Sequence, residues 1–188
     1  MQTYISFLRG VNMTGHNSIK MTDLSSLYVK LGFKDAITYI QSGNVIFSEF
    51  GDIPVSSFSV HIEQAILEQF NFIIPVMIRT TQELNGLYLS NPFLLGKNFD
   101  PSKMAVIFLH EVPSDAQIQK VAGIDYPPDK FKIIGRDIFI YCPNGFGKTK
   151  LYTNFFEKKM GVTGTARNWK TITTMLNIAE LISRNRPN

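Results

Sequence analysis

Residues 36–48, Ala-Ile-Thr-Tyr-Ile-Gln-Ser-Gly-Asn-Val-Ile-Phe-Ser, place two β-branched and aromatic runs on either side of a Ser-Gly-Asn break. Ala36 to Gln41 and Val45 to Ser48 read as paired strands, because Gly and Asn accept positive φ cheaply and close a tight hairpin. Thr3 to Arg9 before them is apolar and β-rich and stops at Gly10, so it reads as a strand. Between these lies a helix: Thr22 offers an N-cap, Leu24, Leu27, Tyr28 and Leu31 share one face, and Gly32 ends it. After the hairpin, Pro54 precedes a second helix with Phe58, Ile62, Ala65 and Ile66 on one side. Ile73 to Arg79 follows as a strand that Pro75 demotes to a sheet edge.

The order β-α-β-β-α-β is the split βαβ or ferredoxin-like arrangement. Thr81 to Ser90 reads as a further helix, and the Pro, Gly and Asn residues from Asn91-Pro92 to Asp100-Pro101 then break the pattern. Beyond the break the order recurs. Met104 to Leu109 is a strand, Ser114 to Val121 a helix, and Phe131 to Ile134 with Ile138 to Cys142 a pair of strands around Gly-Arg-Asp. A helix is expected from Thr149 to Met160. Only Val162 to Ala166 is available for a final strand, and a helix from Asn168 to Ser183 closes the chain. The expected fold is therefore α+β, with two ferredoxin-like (βαββαβ) subdomains built on antiparallel sheets. They occupy residues 1–90 and 103–188, with a linker at 91–102; the second has a weak final strand and an added C-terminal helix.

In such a sheet the first and third strands are central antiparallel neighbours, so the end of the first lies beside the start of the third. That brings the segment Arg9 to Ile19 to the turn Gln41-Ser42-Gly43-Asn44. The first helix begins at the same end and contributes unpaired N–H groups and the positive end of its dipole. Arg9, Asn12, Asn17, Lys20, Gln41, Ser42 and Asn44 would form a polar, cation-bearing rim suited to an anionic group. The competing reading is structural: Ser42-Gly43-Asn44 is a turn, and Asn12 and Asn17 satisfy the backbone of a long loop.

Arg9-Gly10-Val11-Asn12, Asn17, Ile19-Lys20-Met21, Leu24, Leu27, Gly32-Phe33 and Thr38 to Phe47 also resemble an uncharacterised bacterial family, domain of unknown function 1697. Thr165 to Thr171 (TARNWKT) resembles that family's ending. The resemblance spans nearly the whole chain and implies two ferredoxin-like subdomains, but no activity. One departure stands out. The family often has Gly-Gly after Asn-Val, whereas here the run is Asn12-Met13-Thr14-Gly15, and Thr14 resists the positive φ that a backbone anion nest requires.

Two further motifs bear on anions. Pro143 to Thr149 (PNGFGKT) ends in Gly-Lys-Thr, but Cys142 occupies the place of the first glycine of a P-loop, and the preceding strand is one arm of a hairpin. A looser phosphate contact at that loop stays open. Asn168 is a good N-cap, and Trp169 falls in register with Ile172, Met175, Leu176, Ala179 and Ile182, so Trp169 reads as core. Arg167, just before the helix, is either an anion contact or the partner of a carboxylate such as Glu180.

Composition and missing motifs bound the rest. The 188 residues, 44% apolar and 12% aromatic, support a packed core. Residues 1–100 hold 6 Lys/Arg against 8 Asp/Glu, and residues 101–188 hold 13 against 7, so the basic excess lies in the second half. The apolar runs are strand-sized, the N-terminus lacks a secretory pattern, and the single Cys142 makes no internal disulfide, which together point to the cytoplasm and away from a membrane. His16, His61 and His110 are scattered, and neither a zinc spacing nor a dinucleotide fingerprint occurs, so no metal or cofactor is expected. Three readings follow. The first is a module for a small anionic or phosphorylated ligand at the Arg9 rim, and the second an enzyme on a phosphorylated metabolite. The third is nucleic-acid binding through the basic half, which lacks the RNP1 pattern.

Overall fold

The computed structural model describes residues 1–13, 15–51, 53–94 and 99–185. The chain forms two compact units, Met1–Asn85 together with the chain from Thr174 onward, and Gly86–Thr173.

The first unit holds β1 (Gln2–Leu8), α1 (Met21–Lys30), β2 (Lys34–Thr38), β3 (Asn44–Glu49), α2 (Val55–Phe70) and β4 (Val76–Thr80). Its sheet is antiparallel throughout, in the order β2-β3-β1-β4, which is the ferredoxin-like order. Pro75 lies just before the edge strand β4, where its missing N–H leaves no gap in the ladder. The helices cover one face. There Phe47 lies 4.5 Å from the ring of Phe33, 5.4 Å from Tyr4, 5.4 Å from Tyr28 and 6.0 Å from Phe58. Aromatic contacts of this kind add to the stability that burial alone confers. A sheet with one wet face would alternate buried and exposed residues, yet Thr3–Leu8 of β1 are all buried. On the second face Thr3 Oγ1 meets Ser183 Oγ at 3.0 Å, at the end of the last helix.

The second unit holds β5 (Met104–Leu109), α4 (Asp115–Gln119), β6 (Lys130–Ile134), β7 (Asp137–Tyr141), α5 (Thr153–Met160) and β8 (Gly164–Asn168). Its antiparallel sheet runs β6-β7-β5-β8. α3 (Thr81–Leu89) precedes this set, and α6 (Trp169–Arg184) follows it. Ile107, Leu109, Ile138 and Ile140 pack against Phe156 and Met160 of α5, with Cys142 as a small apolar member of the same core. Ser114 caps α4 through a reciprocal box with Gln117. The segment between the sheets includes Asn91, whose Oδ1 accepts from the Phe93 N–H at 3.0 Å, and a 3-10 turn at Pro101–Lys103; Leu95–Asn98 of the expected linker lie outside the described residues.

A final strand, faint in sequence, is present but lies two residues later than the expected Val162–Ala166: β8 pairs with β5 from Gly164 to Asn168. Its weak signal has a packing cause. A Cβ at Gly164 would stand 2.9 Å from Ile107 Cγ2, so the strand must begin with a residue of no β-propensity.

Three local expectations are corrected. The N-cap of α1 is Lys20, in extended conformation and without a side-chain cap, rather than Thr22, whose hydroxyl points to Asp23. The turn between β2 and β3 is longer than a tight hairpin. Tyr39 N–H donates to the Asn44 carbonyl at 2.9 Å, and positive φ falls on Ile40 and Gly43, not on Asn44, which already belongs to the strand. The helix expected from Thr149 begins only at Thr153, because the Thr149 hydroxyl accepts from the Leu151 N–H at 2.9 Å and holds that stretch in a turn. A 3-10 turn occupies Phe146–Lys148 instead. Among the described residues no helix is long and apolar enough to cross a membrane.

Tyr28 is fully buried and shares a 2.8 Å hydrogen bond with Ser6 Oγ, which also donates to the Val45 carbonyl at 3.1 Å. Burial pushes its phenol well above the ordinary tyrosine range, only partly opposed by Ser6. Because the folded state resists the phenolate, this contribution to stability is complete below the unfolded pKa of about 10 and declines as pH rises beyond it. Tyr28→Phe should lower stability at neutral pH by about 1 kcal/mol for the lost hydrogen bond. The gap to the parent protein should narrow in urea melts above about pH 10; a constant gap would contradict the assignment.

Candidate functional site at the loop end of the first sheet

The register of β1 against β3 brings Phe7 opposite Asn44, and Leu8 N–H donates to the Gly43 carbonyl at 2.8 Å. Gly43 is forced by sterics as well as by its φ of +67°, since a Cβ there would stand 2.8 Å from Leu8 Cβ and 3.2 Å from Val11 Cβ. The loop after β1 is anchored by Val11 and Ile19, both buried. Arg9, half-buried, donates its N–H to the Pro75 carbonyl at 2.9 Å.

Asn12 joins the three segments. Its Nδ2 donates to the Ile19 carbonyl and to the Gln41 carbonyl, each at 2.9 Å, and its Oδ1 accepts from the Ile19 N–H at 2.9 Å. The residue sits in the left-handed region at φ 55°, which asparagine tolerates better than most side chains. Asn17, at φ 49°, accepts the Asn12 N–H on its carbonyl at 3.2 Å and gives Nδ2 to the Gly10 carbonyl at 3.2 Å. Asn44 is fully buried, with Nδ2 donating to Ser42 Oγ at 2.8 Å and to the Tyr39 carbonyl at 3.1 Å.

The two polar loops therefore converge on one end of the sheet, and the three asparagines are committed to backbone and turn groups there. What faces solvent is a smaller set. Lys20 and Gln41 are exposed and Ser42 is half-buried. The N–H groups of Asp23 and Leu24 turn back to the Lys20 carbonyl, which leaves those of Met21 and Thr22 without an intrahelical acceptor. Asp23 places one carboxylate in the same first turn. Thr14 lies outside the described residues.

The remaining candidates belong to the second unit. Arg167 lies on β8 opposite Val106 and is buried, its Nη1 donating to the Ala166 carbonyl at 2.7 Å and to Thr165 Oγ1 at 2.8 Å. Burial lowers its guanidinium to about 10. Glu180, the suggested partner, pairs instead with Arg184 at 3.2 Å. Asn168 is exposed and its Oδ1 accepts the Thr171 N–H at 2.8 Å, which is the expected cap. Trp169 is buried and stacks on Tyr88 with centroids 5.5 Å apart. Lys148 ends a 3-10 turn after a strand paired antiparallel on both sides, so no P-loop forms. Of the basic residues late in the chain, Arg186 lies outside the described residues. Among the described residues no three His, Cys, Asp or Glu side chains cluster to hold a metal ion. Sequence reading passed over Asp129, a buried carboxylate beside a cavity, because a lone Asp after Pro-Pro reads as a turn.

Two split-βαβ units with antiparallel four-stranded sheets define a tandem ferredoxin-like α+β protein. The family model described as "Protein of unknown function (DUF1697)" matches residues 1–139, and the chain belongs to that family. Among solved structures, the conserved bacterial protein SP0830 from Streptococcus pneumoniae is similar at 18% identity and a TM-score of 0.76, over 95% of this chain and 98% of that one. The likeness is one of fold. No curated protein gives a significant match.

Asn12→Ala removes all three side-chain bonds of the loop junction and should destabilise the protein by about 2 kcal/mol in urea denaturation. Gly43→Ala should cost more than about 1 kcal/mol, from its positive φ and the approach to Leu8. If both variants melt like the parent protein, the junction does not hold the loops.

Proposed function

We propose that the protein binds a small anionic or phosphorylated ligand at the loop end of the first sheet. The supporting observation is the Asn12 junction: by bonding both Ile19 and Gln41, it keeps the uncapped first turn of α1 beside the β2–β3 loop. A preformed set of donors results, because the frame is held by the protein's own backbone before any ligand arrives. The N–H groups of Met21 and Thr22 lie at the positive end of the α1 dipole, where an anion is favoured. Lys20 supplies a full charge at the cap position, and the Gln41 amide offers further donors from the facing loop. Arg9 leaves β1 at the same end and adds a second cation to the local field. Asn12, Asn17 and Asn44 act as the frame, while Lys20, Gln41, Ser42 and Arg9 are the groups that meet the ligand.

Thermal-shift measurements with phosphate, pyrophosphate, nucleotides and carboxylates, against chloride at equal ionic strength, test the reading. A ligand at about 100 times its Kd should stabilise the fold by ~2.7 kcal/mol. Lys20→Ala and Arg9→Ala should each remove half or more of that shift. A panel without any stabilising anion, or a shift that both variants leave intact, would discard the site.

A further inference from the structure

The second unit carries a hollow that the loop-end site does not use. It lies between the turn Tyr126–Asp129, closed by the Asp129 N–H on the Tyr126 carbonyl at 2.9 Å, and the loop from Cys142 to Lys150. Its volume is about 290 Å3, at the lower end of what small-molecule sites occupy. Asp125 and Asp129 enter it from the first segment, and Asn144, Lys148 and Lys150 from the second.

Asp129 is the informative residue. It is only 9% exposed, yet among the described residues its carboxylate accepts no hydrogen bond and forms no ion pair. A carboxylate removed from water without a partner is costly, and proteins ordinarily pair such a group or bond it. Two cations stand in the same hollow without meeting it. Lys150 Nζ sits 5.3 Å from the centroid of the Tyr126 ring, and Lys148 is exposed at the end of its 3-10 turn. Burial raises the Cys142 thiol, its hydrogen bond to Thr149 opposes that, and the Asp129 charge adds a smaller upward push.

The arrangement of charge narrows the occupant. A free phosphate would find Lys148 and Lys150 but would have to approach two carboxylates. A simple amine would find Asp129 but meet two lysines. Divalent metals of the calcium type take six or more oxygen ligands, and no three-residue ligand group is present among the described residues. We propose that this hollow binds a small zwitterion whose ammonium group pairs with Asp129 and whose phosphate or carboxylate, a few bonds away, is taken by Lys148, Lys150 and the Asn144 amide. Tyr126, which lines the same hollow, already holds Lys150 against its ring and so keeps that cation on the anion-binding side.

Phosphoethanolamine is the probe, with ethanolamine and inorganic phosphate as its two halves, titrated into the full chain by calorimetry and followed by amide NMR. Saturable shifts are expected at Tyr126, Asp129 and residues 144–150 as phosphoethanolamine is added, and either half should shift these residues much more weakly. Asp129→Asn, which keeps size and shape, should weaken the probe by about thirtyfold or more, the usual consequence of removing one member of a desolvated charge pair. Lys148→Ala should weaken it as well, read from the shifts at Tyr126, Asp129 and residues 144–150, which separates this hollow from the loop end of the first unit. Should Asp129→Asn fail to fold, the shift map of the parent protein decides alone. The proposal is overturned if phosphoethanolamine produces no shifts, or if the shifts lie elsewhere. It is equally overturned if either half shifts the residues of this hollow as tightly as the whole does, or if a folded Asp129→Asn protein shows the same shifts there at undiminished affinity.

Discussion

The pairing of β1 with β3 is the constraint on which the first unit rests. It is seated by a close approach: Gly43 has no room for a side chain between Leu8 and Val11, so the hairpin loop can lie against the exit of β1 only with glycine there. Once that contact is made, the ladder from Phe7–Asn44 to Gln2–Glu49 follows in a single register, and Tyr4 and Phe47 are delivered to the same face, where their rings stack. A slip of one residue would move every one of these side chains to the opposite face of the sheet, away from the helices they pack against. The aromatic core, the position of α1 over it and the meeting of the two polar loops are all consequences of that register.

The asparagines at this end show how a polar, glycine-containing loop can be demanded by architecture. Asn12 and Asn17 hold left-handed backbone conformations and pass their amides to carbonyls that the long loop would otherwise leave unsatisfied. Asn44 does the same for the turn while fully buried. The structural and functional readings of these residues are therefore layered. The frame is internal, and the proposed contacts come from the lysine, the glutamine and the helix N–H groups that the frame leaves outward.

Much of the fold was legible because its signals are local. Apolar, β-branched and aromatic runs marked β1, β3, β5 and β7, and the stripe from Leu24 to Tyr28 marked α1. Local signals misled where a side chain competes with the backbone. Thr149 resembles a helix start but accepts from the Leu151 N–H and delays the helix to Thr153. Thr22 resembles an N-cap, yet the chain enters α1 at Lys20 because the Asn12 amide has already fixed Ile19. The last strand was faint because Gly164 is required by packing rather than by propensity.

Local pattern alone carried the two split-βαβ units, the apolar faces of α1 and α2, and the convergence of Arg9–Ile19 with Gln41–Asn44, because periodicity and turn chemistry act over a few residues. Only the tertiary structure decided which polar side chains are committed to the backbone, that Arg167 is buried, and that Asp129 lies enclosed beside Lys148 and Lys150 without pairing to them. Burial and the third partner of a hydrogen bond depend on residues tens of positions apart, and no local pattern encodes them.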